Sequence, residues 1–301
     1  MTEQPQSSDP NTRAITDTEI RLLRLRSAGM FSNVNEVIEQ LRRSKVNNYR
    51  FAIDWATSCY RDPDHLGDPW AYYFEPCFEG LSLAAIIDAD PTLLLGGPPV
   101  ACARDNIITP RLRDGDCNPL LLPKDRQGAH RLITEHLILK PAVIRKIEAF
   151  RASHFKAAMI GLHIRGPGRT DGGVPTLRQS HSPAGEVPLK LYFDYLDLAL
   201  HSRPGADIFA CSDSSAVIAA VQQRYGARVV TYDATRSTFG EMHANHPKNN
   251  GQHFPAHKLG LDILMDAYLL AETDFLVHGN SNVANFVLCK SPNLPHAYAY
   301  A

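Results

Sequence analysis

The 301-residue chain is 44% hydrophobic and 21% charged, the composition of a globular protein able to bury one large core or two smaller ones. Its formal net charge of -1 supplies no basic field, which argues against nucleic acid as a partner and leaves room only for a local basic pocket holding a small anion. Cys59, Cys77, Cys102, Cys117, Cys211 and Cys289 form no C-x-x-C pair, so thiols in a reducing compartment are expected rather than a disulfide framework.

The opening MTEQPQSSDPNTR has no apolar signal-like region, and no apolar run reaches the length of a membrane span, so a cytoplasmic location is expected. Residues 1–17, rich in Ser, Pro, Gln and Thr, read as a disordered tail. Ile20–Leu25 alternates apolar and basic residues, as a strand with one buried face does. The turn Gly29–Asn33 follows, then an amphipathic helix over Val34–Arg43 with Val34, Val37, Ile38 and Leu41 on one side. Strand, Gly-bearing turn and helix N-terminus is the arrangement that cradles phosphate, and Gly29 and Asn33 are candidate ligand contacts; any βα unit needs such a turn as well.

Tyr49–Trp55 reads as a second strand. Ala56–Phe78 is dense in aromatics, Pro and Asp, which suits either sugar stacking or a loop packed by its own rings. Phe78–Pro119 reads as irregular. Two helices, Arg126–Ile138 and Pro141–His154, are separated at Pro141. From Ala157 the pattern becomes regular: strands at 157–165, 207–211, 228–232, 274–278 and 297–300 alternate with helices at 188–201, 214–225, 258–272 and 281–289. Such alternation requires an α/β fold with a doubly wound parallel sheet.

Three stretches end at carboxyl ends of strands, where open α/β sheets bind ligands. Ala158–Asp171, AMIGLHIRGPGRTD, delivers His163 and Arg165 and then Arg169 and Asp171; two guanidiniums beside backbone N–H groups suit a phosphate or pyrophosphate. Gly279–Asn282 opens a helix, where Ser281 and Asn282 either hold phosphate or cap the helix. Asp213 either accepts from a sugar hydroxyl or caps the helix that follows it. Asp262 and Asp266 share a helix face; Asp262 suits the helix dipole, whereas Asp266 lies among Leu264, Met265, Leu269 and Leu270 and needs a partner. His243, His246, His253 and His257 crowd one polar loop, and Asp62/Asp64, Asp88/Asp90 and Asp114/Asp116 form D-x-D triplets, but neither set has the context of a metal site, so no metal is expected. No G-x-S-x-G, Walker A or G-x-G-x-x-G is present.

GLHIRGPGRTDGG (161–173), IFACSDSS (208–215) and DILMDAYLLAETDFLVHGNSNV (262–283) resemble the three motifs of the fucosyltransferase superfamily, which includes rhizobial nodulation α1,6-fucosyltransferases, the animal core α1,6-fucosyltransferase and protein O-fucosyltransferases. SAGMFSNVNEVI (27–38) resembles its N-terminal glycine loop, and FAIDW with PWAYYFEPCF resembles the nodulation branch. The resemblance implies a GT-B-like fold of two Rossmann-type halves, an acceptor-side domain at 18–150 and a nucleotide-sugar-binding domain at 151–301. It implies transfer from GDP-fucose, or a related nucleotide sugar, to a glycan or small-molecule acceptor, with inversion and without metal or other cofactor. Arg165 would bind the β-phosphate; His163 and Asp266 would contact the nucleoside, with Asp213 nearby; Ser281 and Asn282 would contact the phosphates. Gly166-Pro167-Gly168 separates Arg165 from Arg169-Thr170-Asp171, where relatives of the core enzyme have H-x-R-R-T-D. Asp171 is the candidate general base, ahead of Asp54 and Glu75, because an acceptor hydroxyl needs a nearby carboxylate. A transferase using another nucleotide sugar, or a catalytically silent nucleotide-sugar-binding module, are the alternatives.

Overall fold

Glu19–Arg24 forms strand β1, in which Leu22 and Leu23 point to opposite faces and are both buried. The expectation of one buried face is thus corrected: β1 is the middle strand of a parallel sheet covered on both sides. The computed structural model describes residues 19–89, 107–108, 123–155, 158–165, 188–237, 242, 254–279 and 281–299. Strand β2 (Tyr49–Asp54) and strand β3 (Ile107–Ile108) flank β1 in the order β2-β1-β3. Helix α1 (Met30–Asn47) joins the first two strands and buries Val34, Val37, Ile38 and Leu41 completely. It is longer than its amphipathic stripe predicts, because Met30 and Phe31 are also buried and the helix stops only at Asn48, in the left-handed conformation that Asn tolerates.

Helix α2 (Trp70–Tyr73) and helix α3 (Leu83–Ala89) follow. The second lies in a stretch expected to be irregular; Ser82 starts it, its hydroxyl accepting from the Ala85 N–H at 3.0 Å. Helices α4 (Pro123–His136) and α5 (Pro141–His154) match the expected pair, with Pro141 at the first helical position, where its missing N–H costs nothing.

The second sheet begins with β4 (Met159–His163), buried at every position. The chain continues through helix α6 (Leu189–Ser202), strand β5 (Asp207–Cys211), helix α7 (Ser215–Tyr225), a short 3-10 turn, and strand β6 (Val229–Val230). It returns through helix α8 (Ala256–Leu270), strand β7 (Phe275–His278), helix α9 (Asn282–Lys290) and strand β8 (His296–Tyr298). Strand β6 is shorter than expected because Arg236 takes the Tyr232 and Ala234 carbonyls and turns the chain off the edge. The five strands are parallel in the order β6-β5-β4-β7-β8. Chain order therefore reverses between β4 and β7, which opens a crevice at their carboxyl ends.

Helices α6 and α7 cover one face of this sheet through Leu196 and Val221, while α8 and α9 cover the other through Leu264 and Phe286. The second cluster does not stop at the sheet: it runs on to Leu23, Phe51 and Trp55 of the first half. Each fully buried large apolar side chain contributes ~2 kcal/mol, so the two sheets are held by one core. Gly161 lets α8 approach β4, since a Cβ there would sit 2.8 Å from Thr273 Oγ1 and 3.0 Å from Leu270 Cδ2. Among the described residues, no helix is long and apolar enough to cross a membrane.

Candidate functional site

A cavity of about 280 Å³ lies between the two sheets. The first half lines it with Ala28–Ser32, the turn after β1, together with Tyr60. The second half lines it with residues just beyond the carboxyl ends of β4, β5 and β7, and with Leu259, Ile263 and Asp266 of α8. Both β1 and β4 are the strands at which their sheets reverse order, so two switch-point crevices share one cavity.

Of the residues singled out in the sequence, Gly29, His163, Arg165, Asp213, Asp266, Ser281 and Asn282 all line this cavity. Arg165 is the only cationic side chain among its described lining residues. His163 ends β4 and is 5% exposed; burial, with smaller effects of the neighbouring His278 and Arg165, lowers its pKa to about 3, so it is neutral. The Ser281 hydroxyl accepts from the Ala284 N–H at 3.0 Å as the cap of α9 and lies 3.3 Å from His163 Nδ1, so the cap of α9 and the ring at the end of β4 share one contact. Ser281, for which capping or phosphate contact were the alternatives in the sequence, caps α9 and also lines the cavity.

Asp266 lies on α8 and is 5% exposed. Burial raises its pKa to about 7, against the opposing charge of Arg236 and a hydrogen bond from the Cys211 thiol. Its Oδ1 is buried with no hydrogen-bond partner among the described residues, an acceptor left over on the cavity wall. Asp262 has a different task from the dipole role expected of it. It lies beyond the first turn of α8, pairs with Lys258 at 2.7 Å and accepts from the Thr235 N–H at 2.8 Å, tying down the loop after β6. At the end of β5, Ser214 caps α7 and accepts from the Val217 N–H, so capping does not occupy Asp213.

Asn33 does not reach the cavity wall. It is fully buried, its amide donates to the Arg26 and Ala28 carbonyls at 3.1 Å each, and its Oδ1 accepts from the Arg26 N–H at 3.2 Å. It shapes the Gly29 turn from behind. Asp54 pairs with Arg24 at 2.9 Å and Glu75 with Lys140 at 2.6 Å, and neither is among the cavity residues. Asp62 accepts from the Asp64 and His257 N–H groups, which makes that triplet a turn and a tie to α8. Arg169, Asp171, His243, His246, His253 and the Asp114/Asp116 triplet lie outside the described residues, as does Asp90.

The aromatic stretch 56–78 resolves mostly into packing. Trp70, Tyr73 and Phe74 are buried, and Trp70 stacks on Phe74 at 4.3 Å. Only Tyr60 of this stretch lines the cavity, and its hydroxyl accepts the Met30 N–H at 2.9 Å, at the first turn of α1. Sequence reading missed Tyr60 because its partner lies 30 residues away with no spacing rule to link them. Asn35 was missed likewise; its amide donates to the backbone and side-chain oxygens of Asn282 at 3.2 and 3.3 Å, joining the two walls.

No protein-family model and no curated protein matches the sequence. Solved structures match nearly its whole length. NodZ alpha-1,6-fucosyltransferase co-crystallised with GDP is 18% identical, with a TM-score of 0.54 over 92% of this chain and 93% of that one. POFUT1 in complex with GDP-fucose is 10% identical, with a TM-score of 0.54 over 95% and 99%. A FUT1 variant from Arabidopsis thaliana in complex with GDP is 12% identical, with a TM-score of 0.54 over 94% of this chain and 70% of that one. At these identities it is the fold that is shared: two parallel Rossmann-type sheets with a cavity between them, the fucosyltransferase-like GT-B architecture.

Proposed function

We propose that this protein is a glycosyltransferase that moves fucose from GDP-fucose to an acceptor hydroxyl, with inversion at the anomeric carbon and without a metal ion. The observation that carries the reading is the convergence of Arg165, His163, Asp213, Asp266, Ser281 and Asn282 on one cavity, beside the Gly29 turn. The solved structures of this fold include complexes with GDP and with GDP-fucose.

In this reading the diphosphate lies between Arg165 and the start of α9, where the positive helix end and the Ser281 turn offer donors. Asp266 offers its unpaired Oδ1 to adjacent N–H donors of a purine such as guanine, and the neutral His163 ring lines the same cavity. The acceptor oxygen attacks the anomeric carbon from the face opposite the diphosphate. The carbon–oxygen bond to the β-phosphate breaks, its electron pair leaves on GDP, and a base takes the acceptor proton. Arg165 lowers the barrier by meeting charge as it develops on the departing phosphate. Asp171 is the proposed base. The acceptor is a glycan or a small hydroxylated molecule. Buried thiols at Cys77, Cys211 and Cys289 fit a reducing, cytoplasmic setting.

A thermal-shift series with GDP, UDP, dTDP and their sugars tests the donor. GDP and GDP-fucose are expected to raise the midpoint most, by up to ~2.7 kcal/mol of apparent stability at 100-fold excess over Kd. No preference for the guanine nucleotide would sink the fucose assignment. Transfer that survives EDTA supports the metal-free reading, and GDP binding without any donor turnover identifies a silent binding module.

A further inference from the structure

Behind the cavity wall, the buried Arg126 and His278 and the half-buried His296 between them form a file that ends on the turn before α9. Arg126 of α4 is 8% exposed, and its Nη1 lies 3.1 Å from His296 Nε2 on β8. His296 Nδ1 lies 3.1 Å from His278 Nε2, at the end of β7. His278 Nδ1 lies 2.9 Å from the Gly279 carbonyl oxygen. None of the three is among the residues lining the cavity.

The direction of every hydrogen in this file follows from its first member. A guanidinium has donors and no acceptor, so His296 Nε2 must accept and its proton must sit on Nδ1. His278 Nε2 then accepts in turn, which places the second ring proton on Nδ1, aimed at the Gly279 carbonyl. Neutral rings are needed for this order, and burial keeps them so: the pKa of His278 falls to about 4 and that of His296 is also lowered. No carboxylate among the described residues pairs with Arg126, whose own pKa is pushed down by burial against a smaller opposing effect of Cys289. A buried cation without a counter-charge is costly, and its retained work here is to orient dipoles.

We propose that Arg126, His296 and His278 are positioning residues of the phosphate-side turn: the buried guanidinium orders two imidazole tautomers and so delivers one N–H to the Gly279 carbonyl, holding Ser281 and Asn282 at the cavity. The assignment of phosphate to this turn rests on the donor reading above; the ordering of the file does not. The ordering and the phosphate effect are measured separately.

Nitrogen NMR of the intact protein reads the tautomers directly. His278 and His296 are expected to carry their protons on Nδ1, and Arg126→Met is expected to lose that single pattern while Arg126→Lys, which keeps a donor, restores it. His278→Leu should speed amide exchange through Ser281–Ala284 and weaken GDP about tenfold, the scale of one hydrogen bond lost from a buried carbonyl, with guanosine affinity within twofold. His278→Asn, whose side-chain amide replaces the Nδ1–H, should restore both. A proton on His278 Nε2 in the wild type, equal loss in His278→Leu and His278→Asn, or parallel weakening of GDP and guanosine would overturn the proposal. A wild-type protein that binds neither nucleotide refutes the donor reading instead, and the tautomer and exchange measurements still decide the role of the file.

Discussion

Arg165 and Asp266 place opposite demands on the same cavity. Arg165 is exposed at the end of β4, where its planar fork is open to an anion. Arg165→Ala is expected to lower kcat for transfer by about 10²–10³-fold, the loss typical of one oriented donor to developing charge, and Arg165→Lys should recover only part of it. Unchanged turnover in Arg165→Ala would refute the assignment. Asp266 reports through pH. Its pKa rises from 3.8 unfolded to about 7 folded, so its stabilising contribution is complete below 3.8 and is lost as pH climbs to about 7. His163 and His278 fall from 6.5 to about 3 and about 4, so their contribution is complete above 6.5 and is lost on acidification. The two effects oppose each other over the same span. Asp266→Asn removes one of them, and its unfolding free energy in denaturant should therefore drop more steeply from pH 6.5 to 4 than that of the wild type. Parallel curves would contradict the buried, protonated Asp266.

At the scale of elements, the sequence was legible wherever a local rule set the outcome. Apolar periodicity and caps located α1, α5, α7 and the central strands, and residues at strand ends fell on the cavity because parallel sheets present those ends together. Helix α3 lies in a stretch that Pro98-Pro99 and Pro110 mark as irregular; only the Asp88/Asp90 triplet hinted at a helix end there, and its Ser82 cap is one short-range signal. Asn33, Tyr60 and Arg126 were misread or unseen because their work depends on partners set by tertiary packing, in the last case 170 residues away. Two substitutions test the local rules. Gly161→Ala pushes a methyl into Thr273 and Leu270 between β4 and α8, and should cost about 1–3 kcal/mol in urea unfolding. Ser281→Ala removes the cap of α9 and the hydroxyl beside His163 Nδ1 together. It should cost ~1 kcal/mol of stability and weaken nucleotide binding beyond what that loss explains. A stability effect with unchanged nucleotide affinity would assign Ser281 to capping alone.

For the whole molecule, the two sheets divide the chain but the core does not. The cluster that covers one face of the second sheet contains Leu23, Val37 and Phe51 from the first half beside Leu264, Leu276 and Phe286 from the second. Helix α9 is flanked by α1 and α4, with Asn35 bonded to Asn282 and the His130 ring 2.8 Å from the Lys290 carbonyl. Tyr73 of α2 donates to the His257 carbonyl at 2.9 Å and lies so close to Gly260 that any Cβ there would collide with it. This continuity holds the Gly29 turn opposite Arg165 before any ligand arrives, and preorganisation of that kind is what makes a fixed charge effective. It also has a thermodynamic consequence. Cutting between residues 150 and 151 would uncover Phe286, Val287 and Leu288, which are completely buried in the intact chain, and remove α4 from its partner. The intact protein should therefore unfold in one calorimetric transition whose van't Hoff and calorimetric enthalpies agree, and GDP should shift that transition as a whole. The fragment 151–301 should neither fold cooperatively nor bind GDP, although it carries Arg165, Asp266 and Ser281. Two resolved transitions, with GDP moving only one, would show that the halves are separate folding units and that the shared core does not couple them.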